Sequence, residues 1–278
     1  MNFIKAIESS WEGKNSLLCV GLDPDLKKMP DHILKMDEPI FEFNRAIVDA
    51  TADLVCAYKP QIAYYSAFRA EKQLENTIDY IHSNHPEIPV ILDAKRGDIG
   101  STAGMYAREA FERYQADAVT VNPYMGGDTL EPFLRYKDKG VVILCRTSNP
   151  GAGDIQDLES GGKKIYRIIA ARASGEWNCN GNVILVVGAT YPDELMEIRT
   201  IVGDMPLLVP GIGAQGGDVE KAVTKGRDSK GAGMIINSSR GIIYAGAGEN
   251  FAETARAAAV ELRDEINKHR EGSRKILS

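Results

Sequence analysis

No stretch of this 278-residue sequence approaches the roughly 18–20 apolar residues of a membrane helix. The opening residues, from Met1 to Glu8, also lack the uninterrupted apolar core of a signal peptide. A cytoplasmic protein with no membrane partner is expected. Cysteine is scarce: Cys19, Cys56, Cys145 and Cys179 form no CxxC pair. The first three lie in apolar, strand-like runs where a thiol behaves as a small hydrophobe, so neither disulfides nor a cysteine-bound metal is expected. Histidine is equally sparse. His32, His82, His85 and His269 fall in polar or helical surroundings and read as solvated surface residues rather than metal ligands. A basic excess is missing too. The net charge of −6 and pI near 5.4 argue against a nucleic-acid partner or an anionic membrane surface, so any anionic ligand must be held by a local site.

What is present is an ordinary globular composition, 44% hydrophobic and 26% charged, carried on a repeating pattern. Short β-rich runs at 17–23, 55–60, 90–95, 118–123, 141–147, 183–189, 207–211 and 234–239 are each followed by a segment of helical periodicity. Several runs are continuously apolar, as in strands covered on both faces. Phe251, Ala255, Ala258, Leu262 and Ile266 make an apolar stripe on the last helix, and Phe3, Ile4, Ile7 and Trp11 suggest an extra N-terminal helix that closes a barrel bottom. Eight strand and helix pairs without a composition break predict an α/β fold, a single (β/α)8 TIM barrel with 1–278 as one domain. An open doubly wound sheet is the alternative. Two longer insertions, 24–38 and 149–162, fall in loops on the C-terminal face, as rim elements or plain surface loops.

Chemistry concentrates where those strands end. Pro89-Val90-Ile91-Leu92 delivers Asp93, Lys95 and Asp98 together, and strand alternation points Asp93 and Lys95 the same way. Opposite charges in place of Val or Leu mark either a site or a structural ion pair. Lys59 projects from the second strand toward them, giving an alternating Lys, Asp, Lys array with Asp98 nearby. Asp23, Asn122, Ser148, Gln215, Ser239 and Arg240 converge on the same mouth. Pro210-Gly211-Ile212-Gly213-Ala214-Gln215 after strand seven and Ser239-Arg240 after strand eight occupy the recurrent phosphate position of barrel enzymes, where glycine N–H groups and an arginine fork meet an anion. The glycines also match GxGxxG, a dinucleotide fingerprint, but late in the chain rather than in a first βαβ unit.

These residues resemble the orotidine 5′-monophosphate decarboxylase family, in its longer bacterial subgroup. The likeness is carried by the run from Leu92 to Thr102, with Gly21-Leu22-Asp23-Pro24, Tyr58-Lys59-Pro60, Arg146-Thr147-Ser148-Asn149, the glycine segment and Ser239-Arg240 in order. It implies a homodimeric barrel that uses neither metal nor organic cofactor and makes UMP from the nucleotide OMP, the last step of de novo pyrimidine synthesis. It further implies that Lys59, Asp93, Lys95 and Asp98 form a charged tetrad with Lys95 as proton donor. Asp98 and Thr102 would reach into the partner's site. Asp23 and Lys59 would hold ribose hydroxyls, Ser148 and Gln215 the pyrimidine, and Gln215 with Arg240 the phosphate, with Pro210 and Ser239 beside them. Three rivals stay open: a Mg2+-dependent sugar-phosphate decarboxylase with a related Asp-x-Lys-x-x-Asp motif, a Schiff-base aldolase, and a phosphate-ligand binding protein without catalysis.

Overall fold

The computed structural model describes residues 2–212 and 217–271. Eight parallel strands carry the architecture: β1 (Leu18–Leu22), β2 (Ala57–Pro60), β3 (Ile91–Arg96), β4 (Ala118–Val121), β5 (Gly140–Arg146), β6 (Val183–Val187), β7 (Leu207–Pro210) and β8 (Met234–Ser238). They pair in the order β2-β1-β8-β7-β6-β5-β4-β3. Bridges between Tyr58 and Val90 and between Gln61 and Asp93 join the two ends of that order. The result is the expected (β/α)8 barrel. All eight predicted runs match a strand to within two residues at either end, and β1, β6 and β8 are buried at every position because helices cover them outside and side chains fill them inside.

The flanking helices follow from sequence periodicity. In the helix Pro39–Thr51, Ile40, Phe43, Asn44, Ile47, Val48 and Thr51 are buried, the spacing of one face, and Pro39 starts it where a missing N–H is harmless. Phe43 then stacks on Phe251 of the last helix at 5.2 Å and on Tyr244 at 5.7 Å. On that last helix, Phe251–Glu271, the innermost residues are Phe251, Ala255, Ala259 and Ile266, while the predicted Ala258 and Leu262 pack at its edge.

The extra N-terminal helix, Phe3–Gly13, buries Phe3, Ile7 and Trp11 against the lower end of the barrel. Gly140 opens β5 there because nothing larger fits: a Cβ would stand 2.5 Å from the Phe3 ring and 2.8 Å from Ala118. Gly140→Ala is expected to destabilise the fold by about 1–3 kcal/mol through overpacking. A lowered urea midpoint at unchanged slope would confirm it, and an unaltered midpoint would refute it.

One surface reading needs correction. His82 is half-buried, and its Nε2 lies 2.9 Å from Asp117 Oδ2, the oxygen that also accepts the Val90 N–H. The pair ties a helix to the start of β4. Burial alone would raise the Asp117 carboxyl, but the His82 hydrogen bond and the charges of His82 and Lys139 more than offset it and leave the pKa lowered.

Both insertions lie at the upper rim. Residues 24–38 hold the short turns Leu26–Lys28 and Asp31–Leu34, and residues 149–162 hold the helix Gly153–Gln156 and the first arm of a hairpin that pairs Glu159–Ser160 with Lys163–Lys164.

Candidate active site

The site starts with an irregularity in β3. Leu92 pairs with Val119 and Arg96 with Val121, so four steps along β3 advance against two along β4. The excess is absorbed at Lys95, whose φ of +46° lies in the left-handed region that a lysine seldom adopts. Sequence periodicity put Asp93 and Lys95 on one face by simple alternation. They do share a face, but a bulge puts them there. Lys95 Nζ donates to Asp93 Oδ1 at 2.7 Å, and the Thr120 hydroxyl of β4 donates to the same oxygen at 2.8 Å. From β2, Lys59 Nζ donates to Asp93 Oδ2 at 3.0 Å.

The electrostatics of this cluster are settled by pairing. Burial would push the Lys59 ammonium down, yet Asp93 and Asp23 outweigh that and hold it above the ordinary lysine value. Burial would likewise raise Asp93, but the charges of Lys59 and Lys95 and the hydrogen bonds of Lys95 and Thr120 hold its carboxyl well below the usual range. Lys59 and Asp93 therefore stay ionised across the neutral range. Asp93 is 8% exposed and Lys59 4%, whereas the Lys95 side chain is 47% exposed and faces the opening.

Above the cluster is a cavity of about 600 Å³. One wall is apolar, from Leu144, Val186 and Leu208, which suits a flat ring. Ser148 Oγ and Asp23 Oδ1 in the lining are buried and have no hydrogen-bond partner among the described residues. Gly188 makes room for the serine, since a Cβ there would meet Ser148 Oγ at 2.3 Å. A second cavity of about 280 Å³ shares Asp23, Pro210 and Asn237 with the first and adds Gly211, Ser239 and Arg240. Cys19 donates to Asn237 Oδ1 at 3.6 Å beneath this joint, with its thiol pushed up to about 12 by burial. On the rim, Arg146 lies between the rings of Tyr166 and Tyr191 and donates to Asp157, while Gln156 pairs twice with Thr147, so the segment after β5 is held down at its far end.

A charged floor, an apolar wall and a small adjoining cup that carries Arg240 are a combination that can be compared with known proteins. The sequence profile described as the orotidine 5′-phosphate decarboxylase / HUMPS family matches residues 16–257. The chain belongs to this family. Among curated orotidine 5′-phosphate decarboxylases, that of Dechloromonas aromatica is 63% identical over 270 residues, covering 97% of this chain and all of the relative. That of Azoarcus is 60% identical over the same share. Among solved structures, the OMP decarboxylase of Leishmania donovani superposes with a TM-score of 0.86 at 42% identity, covering 97% of this chain and 99% of that one.

In this member of the orotidine 5′-phosphate decarboxylase family, the structure brings Asp23, Lys59, Asp93, Lys95, Ser148 and Pro210 together around the larger cavity, and Ser239 and Arg240 around the smaller. Asp98 and Thr102 are not brought there. Asp98 turns back to accept its neighbour Ile99 N–H at 2.8 Å, and Thr102 is exposed on the helix Gly100–Arg108. The expected proximity of Asp98 to the array is therefore absent within one chain. Gln215 lies outside the described residues. Sequence reasoning missed Thr120, Asn237 and Thr147, all of which line the larger cavity. Asn237 carried a signal, an amide inside an otherwise apolar run; Thr120 carried none. Among the described residues no group of three His, Cys, Asp or Glu side chains is placed to hold a metal ion.

Proposed function

We propose that this chain is a carboxy-lyase that converts OMP to UMP and CO2 without a cofactor, with Lys95 as the group that stabilises and then protonates C6. The observation that carries the reading is an ammonium 2.7 Å from a buried, doubly paired carboxylate, at the floor of a cavity that shares Asp23, Pro210 and Asn237 with an arginine-bearing cup. When the bond from C6 to the carboxylate breaks, CO2 departs and the electron pair stays on C6. A pyrimidine offers that pair no conventional sink, so a preorganised cation is needed where the charge develops. Lys95 supplies it and then transfers a proton to C6, to be reprotonated from water, for a net uptake of one proton per turnover. The attraction grows as the charge localises, so it lowers the barrier rather than merely tightening binding. Asp23 and Lys59 take ribose hydroxyls, Ser148 and Gln215 the ring, and Gln215, Ser239 and Arg240 the phosphate, with Pro210 against the nucleotide.

Two observations favour this over the rivals. Lys59 stands 3.0 Å from Asp93, where its charge opposes a divalent cation on that carboxylate. A Schiff-base enzyme needs a depressed lysine, whereas Lys59 is raised. The test is loss of OMP absorbance by the purified chain with and without EDTA. Full turnover in EDTA is expected. Absence of turnover would remove the reading, and loss only with EDTA would favour the metal-dependent rival.

The same reading includes a homodimer with shared sites and 1–278 acting as one domain. Asp98 and Thr102 sit outside their own cavity, on a segment that also carries Ile99 and Met105, each 61% exposed. Apolar side chains so displayed around charged groups suit burial by a second copy, which would bring Asp98 and Thr102 to the neighbouring mouth. Among the described residues no helix is long and apolar enough to cross a membrane, and a cytoplasmic place beside pyrimidine synthesis fits the proposed reaction.

A further inference from the structure

We propose that Thr120 is a positioning residue for decarboxylation: its hydroxyl holds the left-handed turn at Lys95 and aims the ammonium through Asp93. The proposal rests on the role given to Lys95 above. Thr120 is 1% exposed in the middle of β4 and faces the bulge of β3. A hydroxyl has one proton and two lone pairs. Here all three are used: Oγ1 accepts the N–H of Ala94 at 2.9 Å and of Lys95 at 2.8 Å, and donates to Asp93 Oδ1 at 2.8 Å. Ala94 and Lys95 fall within the three-residue interruption, Asp93 to Lys95, of the ladder between β3 and β4, so a side chain supplies the acceptor their N–H groups would otherwise find on the β4 backbone.

The consequence is geometric. A non-glycine residue stays at positive φ only when its surroundings fix it. Without the hydroxyl, two half-buried N–H groups lose their acceptor and Asp93 loses a donor from the oxygen that also receives Lys95. The relief is for residue 95 to leave positive φ, which re-aims its Cα–Cβ bond and shifts the ammonium from its contact with Asp93. Valine has nearly the shape of threonine and lacks the hydroxyl, whereas serine keeps the hydroxyl and loses a methyl.

The experiment compares Thr120→Val, Thr120→Ala and Thr120→Ser in the full chain. It measures kcat and KM for OMP, UMP affinity, thermal midpoint, and exchange of the C6 proton of UMP for deuterium by NMR. For Thr120→Val, kcat is expected to fall about 100-fold, the order found for misplacing a reacting group by about 1 Å. KM and UMP affinity stay near wild type, and exchange falls in step with kcat. Thr120→Ser recovers most of both. A purely structural threonine would lower the thermal midpoint without slowing C6 exchange per folded site. A folded Thr120→Val enzyme with near-normal kcat would overturn the proposal, as would a serine variant as slow as valine. If valine prevents folding, the same comparison between alanine and serine decides. Wild-type turnover in the same assay tests the decarboxylase reading separately. Independently of activity, a crystal structure of Thr120→Val retaining positive φ at residue 95 and the contact to Asp93 would refute the positioning role.

Discussion

Lys95→Ala is expected to lose OMP turnover by on the order of 10⁴-fold or more, because it removes both the proton donor and the cation facing the developing charge. Binding of UMP, by contrast, is expected to change little. Arg240, Ser239 and Gly211 surround the smaller cavity, and Lys95 does not line it, so the phosphate end keeps its contacts. Asp93 keeps Lys59 and Thr120 as partners, so the substitution leaves no buried charge unpaired. Lys95→Arg should not rescue, since guanidinium gives up a proton far less readily and its planar fork does not fit a site shaped for a point charge. Absorbance assays together with calorimetric titration of UMP check both halves. An active alanine variant would end the proton-donor assignment, and loss of UMP binding would show that Lys95 holds the ligand rather than acting on it.

Mixing two inactive chains should restore activity. If Asp98 completes the neighbour's site, then in a dimer of Lys95→Ala and Asp98→Ala chains one mouth carries both substitutions and the other carries neither. Random reassortment of equal amounts makes half the dimers mixed, each with one intact mouth, so about a quarter of wild-type specific activity is expected from the symmetry of such a pair. The measurement is activity after co-refolding, with mixed dimers confirmed by native mass spectrometry. Confirmed mixed dimers without activity would sink the shared-site reading. The position of Asp98 makes the experiment informative, since within its own chain the carboxylate only closes on the Ile99 N–H.

Much of this could be read from residues alone, for identifiable reasons. Lys59, Asp93 and Lys95 announced themselves because charge at the end of an apolar strand is costly unless it is used or paired. The eight strands were visible because parallel strands covered on both faces leave continuous apolar runs, as in Val183–Val187. What remained hidden depended on contacts across the barrel. A threonine in a strand looks like any β-branched residue, so Ala118–Val121 gave no hint that Thr120 supports the bulge. The turn at Lys95 was concealed because positive φ is signalled by glycine, and there is none at that position. His82 read as surface because its partner, Asp117, lies 35 positions along the chain. Asp98 was assigned to the array by proximity in sequence, yet the chain turns it outward.

The burial of Cys19 has a consequence for durability. Peroxides attack the ionised form of sulfur, and a thiol pushed up to about 12 and wholly enclosed is almost never ionised. Cys56 and Cys145 are enclosed in the same way, and Cys179 is the exposed cysteine. Oxidants that enter the mouth therefore find ammonium, carboxylate and hydroxyl groups that resist them, and the centre that handles carbon dioxide is insulated from changes in cellular redox state.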